Sequence, residues 1–186
     1  MEKQIKNYQK LNNIALKNGV VLFGESIDTE IPASELAQSF EFDYAIYNRS
    51  FLELNLDNSI AIYESCIKSL MPDTLLIHIG ANDFTLFNED KALFEQKYIA
   101  LIEHIKKADK KCRIVVVSID IDNDSINQEL KDIADSTKCE FGDLSTVKVW
   151  IPQATNCVTS FVQTMWVRRY CKNKPIYDIL KILFCY

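Results

Sequence analysis

The sequence predicts an α/β fold: a three-layer α/β/α sandwich around a five-stranded parallel sheet. Three observations predict it. Five short apolar runs recur along the chain, several nearly continuous in Val, Ile and Leu, as strands buried on both faces must be. Longer stretches with apolar residues at three- and four-residue steps separate the runs. Three of the four glycines stand at or near run ends, where tight turns need a residue without a Cβ. Strand alternating with helix in this way gives a parallel sheet covered by helices on both faces.

The predicted strands are "GVVLFGES" (19–26), "DYAIYNRS" (43–50), "TLLIHIGAND" (74–83), "CRIVVVSID" (112–120) and, more weakly, "KCEFGDLS" (138–145). Residues 1–17 read as a leading amphipathic helix. Residues 58–71 carry Ile60, Tyr63, Ile67 and Leu70 on one stripe, with Asp57 or Asn58 as cap. Residues 89–108 give the clearest helix, with Leu93, Phe94, Tyr98, Leu101, Ile102 and Ile105 in register, and 123–137 repeat the pattern with Ile126, Leu130 and Ile133. Past Trp150 the character changes. Phe161, Met165, Trp166 and Tyr170 fall at helical steps in 155–172, and Pro175 opens a short closing helix with Ile176, Ile179, Leu180 and Leu183 on one face.

A chain of 186 residues suits one domain, with a core at about 19–146 and a C-terminal segment at 147–186. The charge is −5 overall, which argues against a nucleic-acid binder. It is unevenly spread: the last 40 residues carry +5 and the first 146 carry −10. The basic, aromatic tail is expected to pack on its own acidic domain or to form a homo-oligomer contact. Six cysteines without C-x-x-C or zinc spacing, no secretory signal and no apolar run near 18 residues point to a cytoplasmic protein with reduced thiols, no metal and no spanning helix.

In parallel sheets, chemistry sits beyond the carboxyl ends of the strands. Those ends read Gly24-Glu25-Ser26, Asn48-Arg49-Ser50, Gly80-Ala81-Asn82-Asp83 and Gly142-Asp143. Acyl transfer needs a nucleophilic hydroxyl and donors aimed at an oxyanion, and Ser26 and Asn82 are residues of those kinds. In plainer readings, Ser26 caps a following turn and Asn82 and Asp83 hold one.

"FGES" and "IGAND", on the first and third strands, resemble the first and third sequence blocks of the SGNH (GDSL-like) hydrolases. That resemblance implies a flavodoxin-like sheet and an ester hydrolase without a cofactor, acting on a small-molecule ester such as an acetyl or carbohydrate ester. By motif, Ser26 is the nucleophile and Asn82 an oxyanion-hole donor. "YNRS" (47–50) stands at the second block, so the Ser50 backbone N–H becomes the further donor. Glu25, Asn48, Arg49 and Asp83 are then candidates to line the substrate; Arg49 reads either as a salt-bridging surface residue or as an anion clamp over the site.

The chain departs from the family pattern in three ways. Glu25 stands for the usual aspartate, Ser50 for a glycine, and no Asp-x-x-His block follows the fifth strand. Only His78 and His104 exist; the first reads as a sheet-face core residue and the second as a partly exposed helix residue. Asp143 is the candidate substitute acid or base, with Glu25 beside it. The missing histidine motivates an alternative, a catalytically impaired binding module on the same fold. A flavin or nucleotide binder is disfavoured, since neither G-x-G-x-x-G nor a phosphate-binding lysine loop occurs.

Overall fold

Residues 1–40, 42–119 and 124–144, together with Ile179, Leu180, Leu183 and Phe184, are described by a computed structural model. Five parallel strands form its sheet: β1 (Val20–Gly24), β2 (Ile46–Asn48), β3 (Thr74–His78), β4 (Arg113–Val117) and β5 (Glu140–Gly142). Their order is β2-β1-β3-β4-β5. β1 therefore lies between β2 and β3, and Gly24 stands beside His78 in register.

Alternate side chains divide the core between two faces, as the period of two demands. Val21, Phe23, Leu75, Ile77, Ile114 and Val116 point to one face. It is covered by α3 (Leu56–Ile62), α5 (Lys91–Ala108) and α6 (Asp124–Ser136), which supply Ile62, Phe94, Tyr98, Leu101, Leu130 and Ile133. Val20, Leu22, Leu76, Val115 and Val117 point to the other face. There α2 (Ala33–Ser39) supplies Ala33, Leu36 and Ala37, and Ile179, Leu180 and Leu183 come from the C-terminal segment. Each large side chain so buried contributes about 1.5–3 kcal/mol. The two faces explain why the strands read as continuous apolar runs.

Helix boundaries show local chemistry that periodicity does not resolve. The leading helix, α1 (Glu2–Asn12), is shorter than the predicted 1–17. α3 starts earlier than predicted because Asn55 caps it, its side chain accepting from Asn58 N–H. The predicted continuation to residue 71 changes winding, with a π turn at Tyr63–Ile67 and a 3₁₀ turn at Lys68–Leu70. A short α4 (Phe84–Glu89) precedes α5, and Asp90 separates the two by capping α5 through Leu93 N–H. α2 and α4 are too short to show a periodic stripe.

The predicted 155–172 helix lies outside the described residues. Of the closing helix, the four described residues are helical, and Ile179, Leu180 and Leu183 are buried as the stripe requires. No helix among the described residues is long and apolar enough to cross a membrane.

Candidate active site

The carboxyl ends of β1 and β3 meet in one hydrogen-bonded knot. After β1 the chain turns at Glu25 into a 3₁₀ turn, Ser26–Glu30. Ser26 adopts φ +50°, a left-handed conformation that is strained for a residue with a Cβ. Its side chain is half-buried, and its hydroxyl donates to Asn82 Oδ1 at 3.3 Å. After β3, Gly80 takes φ +142°, a backbone geometry that favours glycine.

Glu25 ties the two ends together. Its buried carboxylate accepts from the backbone N–H groups of Gly80 (2.8 Å), Ala81 and Asn82 (3.0 Å). Burial pushes its pKa up from the ordinary carboxylate value, and the three N–H donors partly oppose that. Expected to line the substrate, Glu25 instead has both oxygens engaged by backbone. Neither oxygen is presented to a ligand or placed to act as base.

Asn82 is exposed and beside Ser26, as the motif reading expects, but its amide is turned. Nδ2 donates to Leu52 O (3.0 Å) and Leu54 O (2.7 Å), so both amide hydrogens are engaged. The role of the Leu52–Leu54 loop in holding Asn82 has no signal in the sequence.

The end of β2 is a different construction. Ser50 is fully buried; its N–H donates to Asn48 Oδ1 at 2.9 Å, and its hydroxyl accepts from Gly24 N–H at 3.1 Å. The expected oxyanion donor is thus consumed by a local side-chain turn. Asn48 Nδ2 donates to Asp28 O (2.6 Å) and Ile31 O (3.0 Å).

Arg49 is buried and turns away toward α1. Its Nε and Nη2 donate to Asn12 Oδ1 at 3.0 and 2.8 Å, and its Nη1 donates to Asn48 O at 2.8 Å. The guanidinium lies over the Tyr8 and Tyr47 rings, 4.7 and 5.2 Å from their centroids. Burial pulls its pKa below the ordinary value. These contacts make Arg49 a clamp on α1 rather than on an anion.

Asp83 is also withdrawn. It is buried, and Oδ2 accepts from Leu56 N–H at 3.0 Å, capping the start of α3. Burial raises its pKa. Asp143, expected as substitute base, follows β5 at the sheet edge. Two strands stand between β5 and β1, roughly 14 Å at the usual strand spacing. The structure does not bring it to Ser26.

Beneath Ser26 lies a pair that periodicity hides. His78 Nδ1 is 2.6 Å from Asp28 Oδ2, with Asp28 fully buried and the His78 side chain 9% exposed. Asp28 Oδ2 also accepts from Glu25 N–H at 3.2 Å. The sheet-face reading of His78 holds, since its ring packs edge-on against Phe184. A Cβ on Gly24 would stand 1.8 Å from Asp28 Oδ2, so only glycine lets this carboxylate reach the strand. That glycine, beside an aspartate four residues on, was the available signal. His104 lies on α5, its Nε2 2.8 Å from Glu64 Oε1, far along the helix from this knot.

No histidine among the described residues bonds the Ser26 hydroxyl. Residues 145–178, where the resemblance would place an Asp-x-x-His block, lie outside the described residues. Burial pushes the Cys66 thiol up to about 11 and Cys112 up to about 12, so neither is a competing nucleophile. No group of three metal-ligating side chains occurs among the described residues.

The same architecture, a parallel sheet in an α/β/α sandwich, occurs in solved structures of a GDSL-like lipase and an esterase. Among similar solved structures is a protein from Streptococcus pneumoniae proposed as a platelet activating factor. It shares 20% identity at a TM-score of 0.67, over 79% of this chain and 76% of that one. A GDSL-like lipase from Bacteroides thetaiotaomicron aligns at 16% identity and TM-score 0.59, over 82% of each chain. The psychrotrophic esterase EstA from Pseudoalteromonas aligns at 12% identity and TM-score 0.59, over 82% of this chain and 93% of that one. At such identities the likeness is one of fold. No protein-family profile and no curated protein matches the sequence.

Proposed function

We propose that this chain is an SGNH-type ester hydrolase acting on a small ester, acetyl or carbohydrate-linked, through Ser26. One observation carries the reading. A serine is held at φ +50° just past the first parallel strand, partly exposed and bonded to an asparagine from the third strand end. Strain of this kind costs of order 1–3 kcal/mol and persists where surrounding structure imposes it, commonly at functional sites. Lipase and esterase neighbours on the same fold support the class.

In the proposed step, Ser26 Oγ bonds to the ester carbonyl carbon, the ester C–O bond breaks, and the serine proton leaves with the alcohol. Water then cleaves the acyl-serine, releasing the acid and restoring the hydroxyl. Asn82 serves as the oxyanion donor once its Nδ2 leaves the Leu52 or Leu54 carbonyl for the substrate oxygen. The free thiols Cys66, Cys112 and Cys139 support a reducing, cytoplasmic setting. The C-terminal segment is the proposed homo-oligomer contact.

A second reading is favoured by a specific observation. Both Asn82 amide hydrogens are engaged, and no described histidine bonds Ser26. The chain would then bind an ester without turning it over. Hydrolysis of p-nitrophenyl acetate by wild type and Ser26→Ala separates the two. The hydrolase reading expects a loss of about 10³-fold or more; equal background rates support the binding module.

A further inference from the structure

We infer that His78 is a positioning residue for Ser26, acting through Asp28. The inference rests on the Ser26 reading for its catalytic meaning, but the geometry stands by itself. Hydrogen bonds form a closed circuit through β3 and the serine turn. His78, the last residue of β3, holds Asp28 through Nδ1 at 2.6 Å. The same Asp28 oxygen accepts from Glu25 N–H at 3.2 Å. The Glu25 carboxylate then returns to β3 by accepting from Gly80, Ala81 and Asn82 N–H. Asn82 closes the circuit on the Ser26 hydroxyl. Ser26 thus lies between two anchors, Glu25 and Asp28, that are each fixed to β3.

Two features show that the circuit depends on the imidazole. Asp28 is fully buried, and a carboxylate there needs donors to offset lost hydration. Its described donors to Oδ2 are one backbone N–H and the His78 ring, while Oδ1 has no partner among the described residues. Accepting at Oδ2, the carboxylate assigns the hydrogen to Nδ1. Without that donor, Asp28 has little reason to stay against the strand, and the strained Ser26 backbone loses one of its two anchors. His78 Nε2, by contrast, has no partner among the described residues. Among the described residues the ring therefore hydrogen-bonds through Nδ1 alone.

This asymmetry dictates the test. An asparagine side-chain nitrogen reproduces the place of Nδ1, and a glutamine nitrogen reproduces that of Nε2. His78→Asn, His78→Gln and His78→Leu are compared with wild type by amide hydrogen exchange over residues 24–30 and 79–84, and by p-nitrophenyl acetate kinetics. Exchange should quicken about tenfold or more in the Gln and Leu variants and stay within about threefold of wild type in Asn. In step with it, kcat should fall about tenfold in Gln and Leu, with KM within about twofold, and recover in Asn.

If the Leu variant does not fold, the Asn–Gln pair decides. An Asn variant as impaired as Gln overturns the inference, as do variants all equal to wild type. Wild-type hydrolysis no faster than Ser26→Ala would sink the hydrolase reading alone, because the exchange comparison still decides the positioning.

Discussion

The ends of β1 and β2 lie side by side, both carry a serine, and they are built for different tasks. Ser26, past β1, is half-buried and strained, and among the described residues its hydroxyl bonds only to the Asn82 side chain. Ser50, past β2, is fully buried, with its N–H, hydroxyl and carbonyl all bonded to neighbours. Arg49 beside it is locked between Asn12, Tyr8 and Tyr47. Polar residues at neighbouring strand ends thus divide into a proposed site and a brace. Burial and the destination of each hydrogen bond decide which is which.

The largest expected effect tests the site side. Ser26→Ala should lower ester hydrolysis by about 10³-fold or more while the melting temperature stays within a few degrees. A brace residue would show the reverse, and Arg49→Met should behave that way. It should cost about 2–3 kcal/mol of stability in urea unfolding, since it removes three hydrogen bonds at a buried cation. Its kcat should change by less than about threefold. Arg49→Lys should not restore stability, because one ammonium cannot reproduce the fork. An Arg49 variant that folds normally and loses activity would erase the distinction.

Gly24→Ala sits on the boundary. The new Cβ would collide with Asp28 Oδ2, so the variant should lose about 1–3 kcal/mol and a share of activity together. Normal stability in urea unfolding would show that Asp28 yields freely.

The smallest effect concerns pH. Burial raises the folded-state pKa of Glu25. A raised carboxyl binds its proton more tightly when folded, so its stabilising contribution is full below the unfolded pKa and is lost as pH rises through the folded one. The stability difference between wild type and Glu25→Gln should therefore narrow as pH climbs from about 4.5 through the raised value. A difference that widens over that window would mean the three N–H donors outweigh burial.

The sheet was legible because both of its faces are buried: nothing interrupts Val20–Phe23 or Ile114–Val117, and each run reads as a strand. The pairing of Ser26 with Asn82 was legible because glycine and polar residues crowd the ends of adjacent strands. Roles were less legible. Whether Arg49 or Asp83 faces a ligand depends on which way a side chain turns, and Asn12 and Leu56 come from elements whose placement only the fold provides. The His78–Asp28 pair joins residues 50 positions apart through a strand register that no local pattern encodes. The α2 and α4 helices were invisible for a simpler reason: with seven and six residues they complete too few turns to establish a stripe.

On the proposed function, the β1 end, and not the β2 end, holds a reactive serine. Labelling the full chain with a fluorophosphonate and mapping the adduct by peptide mass spectrometry tests it most directly. The expected result is an adduct on Ser26 and none on Ser50. No adduct, or an adduct on another residue with Ser26 unmodified, would contradict it.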